Sequence, residues 1–203
     1  MSLTAISIPP TSGNPPSHLW VALHGWGANA EDLASLAPFL NLPNYQMVFP
    51  NAPFSHYQNP AGLAWYALER EGYPGLAESR QMLEDWLQGL EATTGIPLSR
   101  TILAGFSQGG AMTLDVGTKL PCRALCSLSG YLHAPLQKSE APPPALIVHG
   151  AQDPVVPLQA AHQVRDGLTA LGTKVDYHEL EMGHEIQPAV LKLIGDFIAA
   201  LPE

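Results

Sequence analysis

Thr101-Ile102-Leu103-Ala104-Gly105-Phe106-Ser107-Gln108-Gly109-Gly110-Ala111 opens on a short β-branched and apolar run and closes on glycines around a single serine. The run has the length and composition of a buried strand. The residues after it repeat at helical spacing. Between the two lies Gly105-x-Ser107-x-Gly109, a G-x-S-x-G. A serine at such a sharp strand-to-helix turn needs neighbours without bulky side chains, because the backbone there is strained and crowded. The turn lifts the hydroxyl into the open, and the helix behind it points its positive end toward developing negative charge. Gly110 and Ala111 permit close packing behind the turn.

Working outward, similar short runs occur at Leu19 to Leu23, Gln46 to Phe49, Ala124 to Leu128, Ala145 to Val148 and Lys174 to Glu179. Between them come helix-period stripes: Met82, Leu83, Trp86, Leu87 and Leu90; Val164, Leu168 and Leu171; Val190, Leu191, Ile194, Phe197 and Ile198. Strand and helix alternating in this way predict an α/β fold, a mostly parallel central sheet with helices on both faces. The proline-rich stretches Pro9 to Pro16, Pro50 to Pro60 and Ala141 to Ala145 are too short for interdomain linkers, so residues 1–203 are expected to form one domain. In open parallel sheets reactive groups lie beyond the carboxyl ends of the strands, and a catalytic residue is expected just after a strand.

That filter selects the serine's partners. A serine hydroxyl is a weak nucleophile until a base takes its proton, and after such an elbow the chain order is serine, acid, histidine. His162 falls in a predicted helix, His178 in a predicted strand, and His149 precedes every acid that passes the filter. His184, in Glu181-Met182-Gly183-His184, follows the last strand and is expected to be the base. For the acid that orients it, Asp153 stands just beyond the Ala145 strand. Asp115 lies eight residues past the serine, about 12 Å along a helix and too far. Asp166 and Asp196 sit in helices and Asp176 in a strand, and Glu185 is the second choice. Ser107, His184 and Asp153 form the expected catalytic set.

The tetrahedral oxyanion of acyl transfer needs fixed donors. The backbone N–H of Gln108, immediately after the serine, is one. The second is expected from Leu23-His24-Gly25-Trp26-Gly27, where glycines let the N–H of Trp26 turn inward. Leu63, Trp65 and Tyr66 lie in an irregular segment. The two aromatics suit an acyl pocket or the core equally, because both use the same residues.

Composition excludes other classes. Nine basic against 18 acidic residues give a formal charge of −9, which a phosphate backbone or an anionic membrane would repel. No apolar run is long enough to cross a bilayer, and the first residues carry no positive charge followed by an apolar stretch, so no signal segment is expected. A cytoplasmic protein without nucleic-acid binding or stable membrane insertion is expected, monomer or homodimer. Cys122 and Cys126 read as buried free thiols. Two ligands do not close a zinc site, and no metal or cofactor is expected.

Leu23-His24-Gly25-Trp26-Gly27-Ala28, Trp65-Tyr66, Gly105 to Ala111, His149-Gly150-Ala151-Gln152-Asp153-Pro154-Val155-Val156-Pro157 and Met182-Gly183-His184-Glu185-Ile186 together resemble the phospholipase/carboxylesterase family of α/β hydrolases, which includes bacterial carboxylesterases and acyl-protein thioesterases. The resemblance spans nearly the whole chain in order. It implies a compact hydrolase without a large cap domain, acting on carboxylic esters or acyl thioesters with no metal or cofactor. It also implies the triad Ser107, Asp153 and His184 and an oxyanion hole at Trp26 and Gln108. Two features depart from the family pattern: Ala67 where an acid often follows the aromatic pair, and a shortened stretch from His133 to Pro144. Both bear on substrate size rather than chemistry. Short to medium acyl chains are expected. The rivals are a thioesterase using the same machinery and, in another class, a non-catalytic ligand-binding protein on the same scaffold.

Overall fold

The structure is a computed structural model and describes residues 3–136 and 142–202. Seven strands form the main sheet: β1 (Ala5–Ile8), β2 (His18–Leu23), β3 (Tyr45–Pro50), β6 (Thr101–Phe106), β7 (Ala124–Leu128), β8 (Ala145–Gly150) and β9 (Val175–Leu180). Their spatial order is β1-β3-β2-β6-β7-β8-β9, and every pairing is parallel except β1 with β3. β4 (Phe54–Ser55) and β5 (Leu63–Ala64) make a separate two-stranded hairpin. The helices are α1 (Ala30–Ala34), α2 (Leu76–Thr94), α3 (Gln108–Gly117), α4 (Leu158–Ala170) and α5 (Pro188–Ala199). None is long and apolar enough to cross a membrane.

The pleat explains the near-continuous apolar strands, since successive side chains enter opposite faces. Leu19, Val21 and Leu23 of β2 join Leu83, Leu87 and Leu90 of α2, Met112 of α3 and Leu168 of α4 in one core layer. Trp20 and Ala22 join Ala30 of α1 and Val190, Ile194 and Ile198 of α5 in the other. The three helical stripes read from sequence are the buried faces of α2, α4 and α5.

The expected mostly parallel sheet with helices on both faces is the observed one. All six expected strands form, with ends shifted by at most two residues. Two elements escaped the sequence reading. β1 is four residues of an edge strand, alternately half-buried and exposed. The β4–β5 hairpin has only two residues per strand, too short for a period to register. Of the shortened stretch from His133 to Pro144, residues 137–141 lie outside the described residues.

Topology fixes where chemistry can happen. From β2 the chain adds β3 on one side; from β6 onward it builds the other. The switch point, where loops diverge and leave a crevice, therefore lies between β2 and β6. Register makes these strand ends level, with Leu23 opposite Gly105, Phe106 opposite Leu128 and Gly150 opposite Leu180.

Candidate active site

Ser107 is the residue between β6 and α3 and holds φ 54°, ψ −116°. This left-handed backbone is costly for a residue with a Cβ. The surroundings enforce it. The Ser107 N–H donates to Leu128 O at 2.8 Å, and the flanking glycines admit the tight approach. A Cβ on Gly105 would run into the Gly109 carbonyl and Thr113, and one on Gly109 would run into the carbonyls of Leu23 and His24. Both glycines of the motif are thus required by packing, which composition alone could not show.

Asp153 lies in the turn after β8, its side chain fully enclosed. One carboxylate oxygen accepts the backbone N–H groups of Val155 and Val156, each at 2.8 Å. The other lies 2.7 Å from His184 Nδ1. Burial alone would raise the acid's pKa, but the His184 hydrogen bond and the two N–H donors outweigh it and hold the carboxyl below its ordinary value. It is therefore ionised and directed at the imidazole. His149, wholly buried, donates from Nε2 to Val156 O at 2.8 Å and lies 3.5 Å from the same Asp153 oxygen.

His184 stands on the loop between β9 and α5. That loop is pinned to the end of β8: Gln152 N–H donates to Met182 O at 3.1 Å, and Gly150 admits the carbonyls of Met182 and Gly183 where a Cβ would collide. The imidazole lies against the ring of Phe106, next to the serine, with centroids 4.8 Å apart. Ser107 and His184 thus share one rim. Among the described residues Ser107 Oγ makes no direct hydrogen bond.

The rival acids are occupied elsewhere. Asp115 pairs with Arg80 at 2.7 Å and His133 at 2.7 Å, Asp166 with Arg165, Asp176 with His178 and Asp196 with Lys192. Glu185 accepts from Gln187 on the surface.

Gln108 opens α3, so its N–H has no partner within the helix and meets no acceptor among the described residues. The loop after β2 passes directly over the serine: a Cβ on Gly25 would stand 3.4 Å from Ser107 Cβ. His24 organises this loop. Its Nε2 accepts the Ala52 N–H at 3.0 Å, so its hydrogen is on Nδ1 and is donated to Gly25 O at 2.8 Å. In a trans peptide C=O and N–H point oppositely, so tying back Gly25 O turns the Trp26 N–H away from the interior. That N–H, too, has no acceptor among the described residues. The sequence reading missed the role of His24, because its partner Ala52 lies 28 residues further along the chain and leaves no local signal.

Leu63 is half-buried, and its backbone pairs with the loop after β2. Trp65 and Tyr66 are both buried. Trp65 occupies the core, donating its indole N–H to His24 O at 3.0 Å. Tyr66, its hydroxyl paired with that of Tyr131, forms one wall of a cavity of about 340 Å³ beside Trp26, lined also by His56, Tyr57 and Ala67. Cys122 and Cys126 are buried and unpaired, and burial pushes the Cys122 thiol up to about 12.

The sequence and the fold have counterparts among known proteins. The sequence model described as phospholipase/carboxylesterase matches residues 10–201. Acyl-protein thioesterase 1 of Neurospora crassa is 30% identical over 200 residues, 86% of this chain and 80% of the relative. The crystal structure of esterase PE8 is 32% identical, with TM-score 0.89 and 100% of each chain covered. Zea mays acyl-protein thioesterase 2, at 22% identity, shares the fold, with TM-score 0.81 over 97% of this chain and 98% of its own. With the match running through every loop at this rim, the chain belongs to the phospholipase/carboxylesterase family of α/β hydrolases.

Proposed function

We propose that the protein hydrolyses carboxylic esters of short to medium acyl chains through an acyl-enzyme on Ser107. The observation that carries this reading is the 2.7 Å bond from His184 Nδ1 to an ionised, enclosed Asp153. It holds the imidazole in the tautomer that leaves Nε2 free to accept a proton. Ser107 Oγ attacks the carbonyl carbon while its proton passes to His184 Nε2. The carbonyl oxygen becomes an oxyanion facing the N–H groups of Trp26 and Gln108. Collapse breaks the bond to the alcohol, which leaves with the proton from His184. Water, deprotonated by the same imidazole, then releases the acid and restores Ser107. Asp153 stays ionised and stabilises the imidazolium.

Support for a limited acyl length comes from the cavity beside Trp26, where Glu69, Arg70 and Glu78 stand with Tyr57 and Tyr66 in the lining and restrict how much apolar chain it would take. Ser107→Ala is expected to abolish turnover of an activated aryl ester with the fold intact by circular dichroism. Retained turnover in the pure variant would refute the assignment. Stoichiometric labelling of Ser107 by a fluorophosphonate separates this reading from a non-catalytic binding protein.

A second reading, an acyl thioesterase with the same residues, draws on the name of the Neurospora relative. Comparing kcat/KM for ester and thioester of one acyl group decides between them.

A further inference from the structure

The β4–β5 hairpin is not needed by the sheet, and its backbone is turned instead toward the loop after β2. Gly27 N–H donates to Leu63 O at 2.9 Å, and Leu63 N–H donates to Ala28 O at 2.8 Å. From the hairpin's connecting turn, Asn59 Nδ2 donates to Gly27 O at 2.9 Å. Asn29 Nδ2 returns a bond to Ala61 O at 3.3 Å. Gly62 lies so close to the Gly27 carbonyl that a Cβ there would collide with it.

Asn59 is itself held in place. Its Oδ1 accepts the Ala61 N–H at 3.2 Å, and its backbone carbonyl accepts the Gly62 N–H at 3.0 Å. His56 Nδ1 accepts the N–H groups of Gln58 and Asn59 at 3.2 and 3.0 Å. The same imidazole stands edge-on to the Trp26 ring, centroids 4.2 Å apart, and covers Gly27. Both peptide groups of Gly27 are therefore engaged by the hairpin, while Gly25 O is engaged by His24. The Trp26 N–H meets no acceptor among the described residues.

We propose that Asn59, backed by His56, is a positioning residue that locks the Gly27 carbonyl and so keeps the Trp26 N–H presented to the oxyanion. The proposal rests on the acyl-transfer reading above. Asn59 touches no reacting atom. It acts on the transition state because a donor that drifts is worth little to charge that develops only there.

Asn59→Asp removes the donor to Gly27 and keeps the acceptor for Ala61, so the hairpin turn retains its internal bond. Steady-state kinetics on an aryl ester are measured together with inhibition by an aryl trifluoromethyl ketone, which forms an oxyanion on the serine. Losing an oxyanion donor outright costs about 10²–10³ in kcat, so loosening one is expected to lower kcat roughly tenfold. KM stays within about twofold, and the ketone's Ki rises by the same factor as kcat falls, because only the transition state uses the donor. His56→Phe keeps a ring against Trp26 and removes the acceptor that fixes Asn59; it is expected to shift kcat and Ki the same way by about threefold. Unchanged kcat and Ki in Asn59→Asp overturn the proposal, as does a raised KM with Ki unmoved. Should Asn59→Asp fail to fold, His56→Phe decides alone, and a Ki equal to the parent's overturns it. With Ser107→Ala measured alongside, an active Ser107→Ala brings down the acyl-transfer reading and this inference with it. A dead Ser107→Ala beside a wild-type Asn59→Asp brings down this inference alone.

Discussion

Gln108 accepts the Trp65 backbone N–H on its side-chain oxygen at 2.9 Å, 43 residues earlier in the chain. Its Nε2 donates to Tyr66 O at 2.9 Å. One carboxamide therefore satisfies a backbone N–H and a backbone carbonyl of a buried, irregular segment, and the same residue offers its own backbone N–H at the start of α3. Gln108→Leu would leave a buried donor and a buried acceptor without partners. At about 1–3 kcal/mol each, the variant is expected to unfold about 3 kcal/mol more easily in urea. An unchanged midpoint would show that the carboxamide is not what holds Trp65 and Tyr66 in place.

Gly150→Ala tests the link between β8 and the His184 loop. The added methyl would meet the carbonyls of Met182 and Gly183, and the loop must move away from the strand that delivers Asp153. Overpacking of this kind costs about 1–3 kcal/mol. Displacing the imidazole by about an ångström is expected to lower kcat/KM roughly 10²-fold. Kinetics on the folded fraction, quantified by denaturation, check both numbers. Activity near the parent's would mean the loop adapts without moving His184.

Ser107 occupies its left-handed backbone at a stability cost. Ser107→Gly removes the Cβ and the steric penalty; Ser107→Ala keeps both. Set against the greater unfolded-state freedom of glycine, the glycine variant is expected to be more stable than the alanine variant by about 1 kcal/mol. Both are expected to be inactive. Urea midpoints of the two variants measure the difference, and an alanine variant equal or superior to the glycine one would contradict the strain.

Stability should fall on mild acidification. Burial lowers the pKa of His24, against weaker upward pulls from the Gly25 carbonyl and Asp32. Burial also lowers His18, assisted by Arg123 and Arg100. Below the ordinary value of 6.5 the unfolded chain takes up protons that the folded chain refuses. The contribution is complete above that value and is lost as pH falls toward the depressed ones; for the buried His24 the loss is up to about 1.4 kcal/mol per pH unit, and for the partly exposed His18 solvent screening leaves much less. Asp153 acts in the same direction lower down: its folded pKa lies below 3.8, so its contribution is present above that value and lost beneath it. Unfolding free energies from pH 7.5 to 5.5 are the check. A flat or rising profile would contradict a neutral, buried His24.

The linear chain by itself determined the sheet's parallel strands, its helical stripes and the three residues expected to act. Each of these is a local signal: a period of two or 3.6, a glycine beside a serine, an acid or histidine one turn past a strand. It could not choose between pocket and core for Trp65 and Tyr66, because burial depends on what packs against them from elsewhere. It was silent on β1 and the hairpin, whose strands are too short to carry a period. Tertiary structure alone decided that Gln108 ties down Trp65, that His24 turns the Trp26 peptide, and that Asn59 holds Gly27. The Gln108 and Asn59 relationships are hydrogen bonds between segments tens of residues apart, and the bond from His24 to its neighbour Gly25 is fixed by the distant Ala52 N–H on the same imidazole. No local spacing encodes them, since the geometry that joins their ends is set by the sheet's order and register.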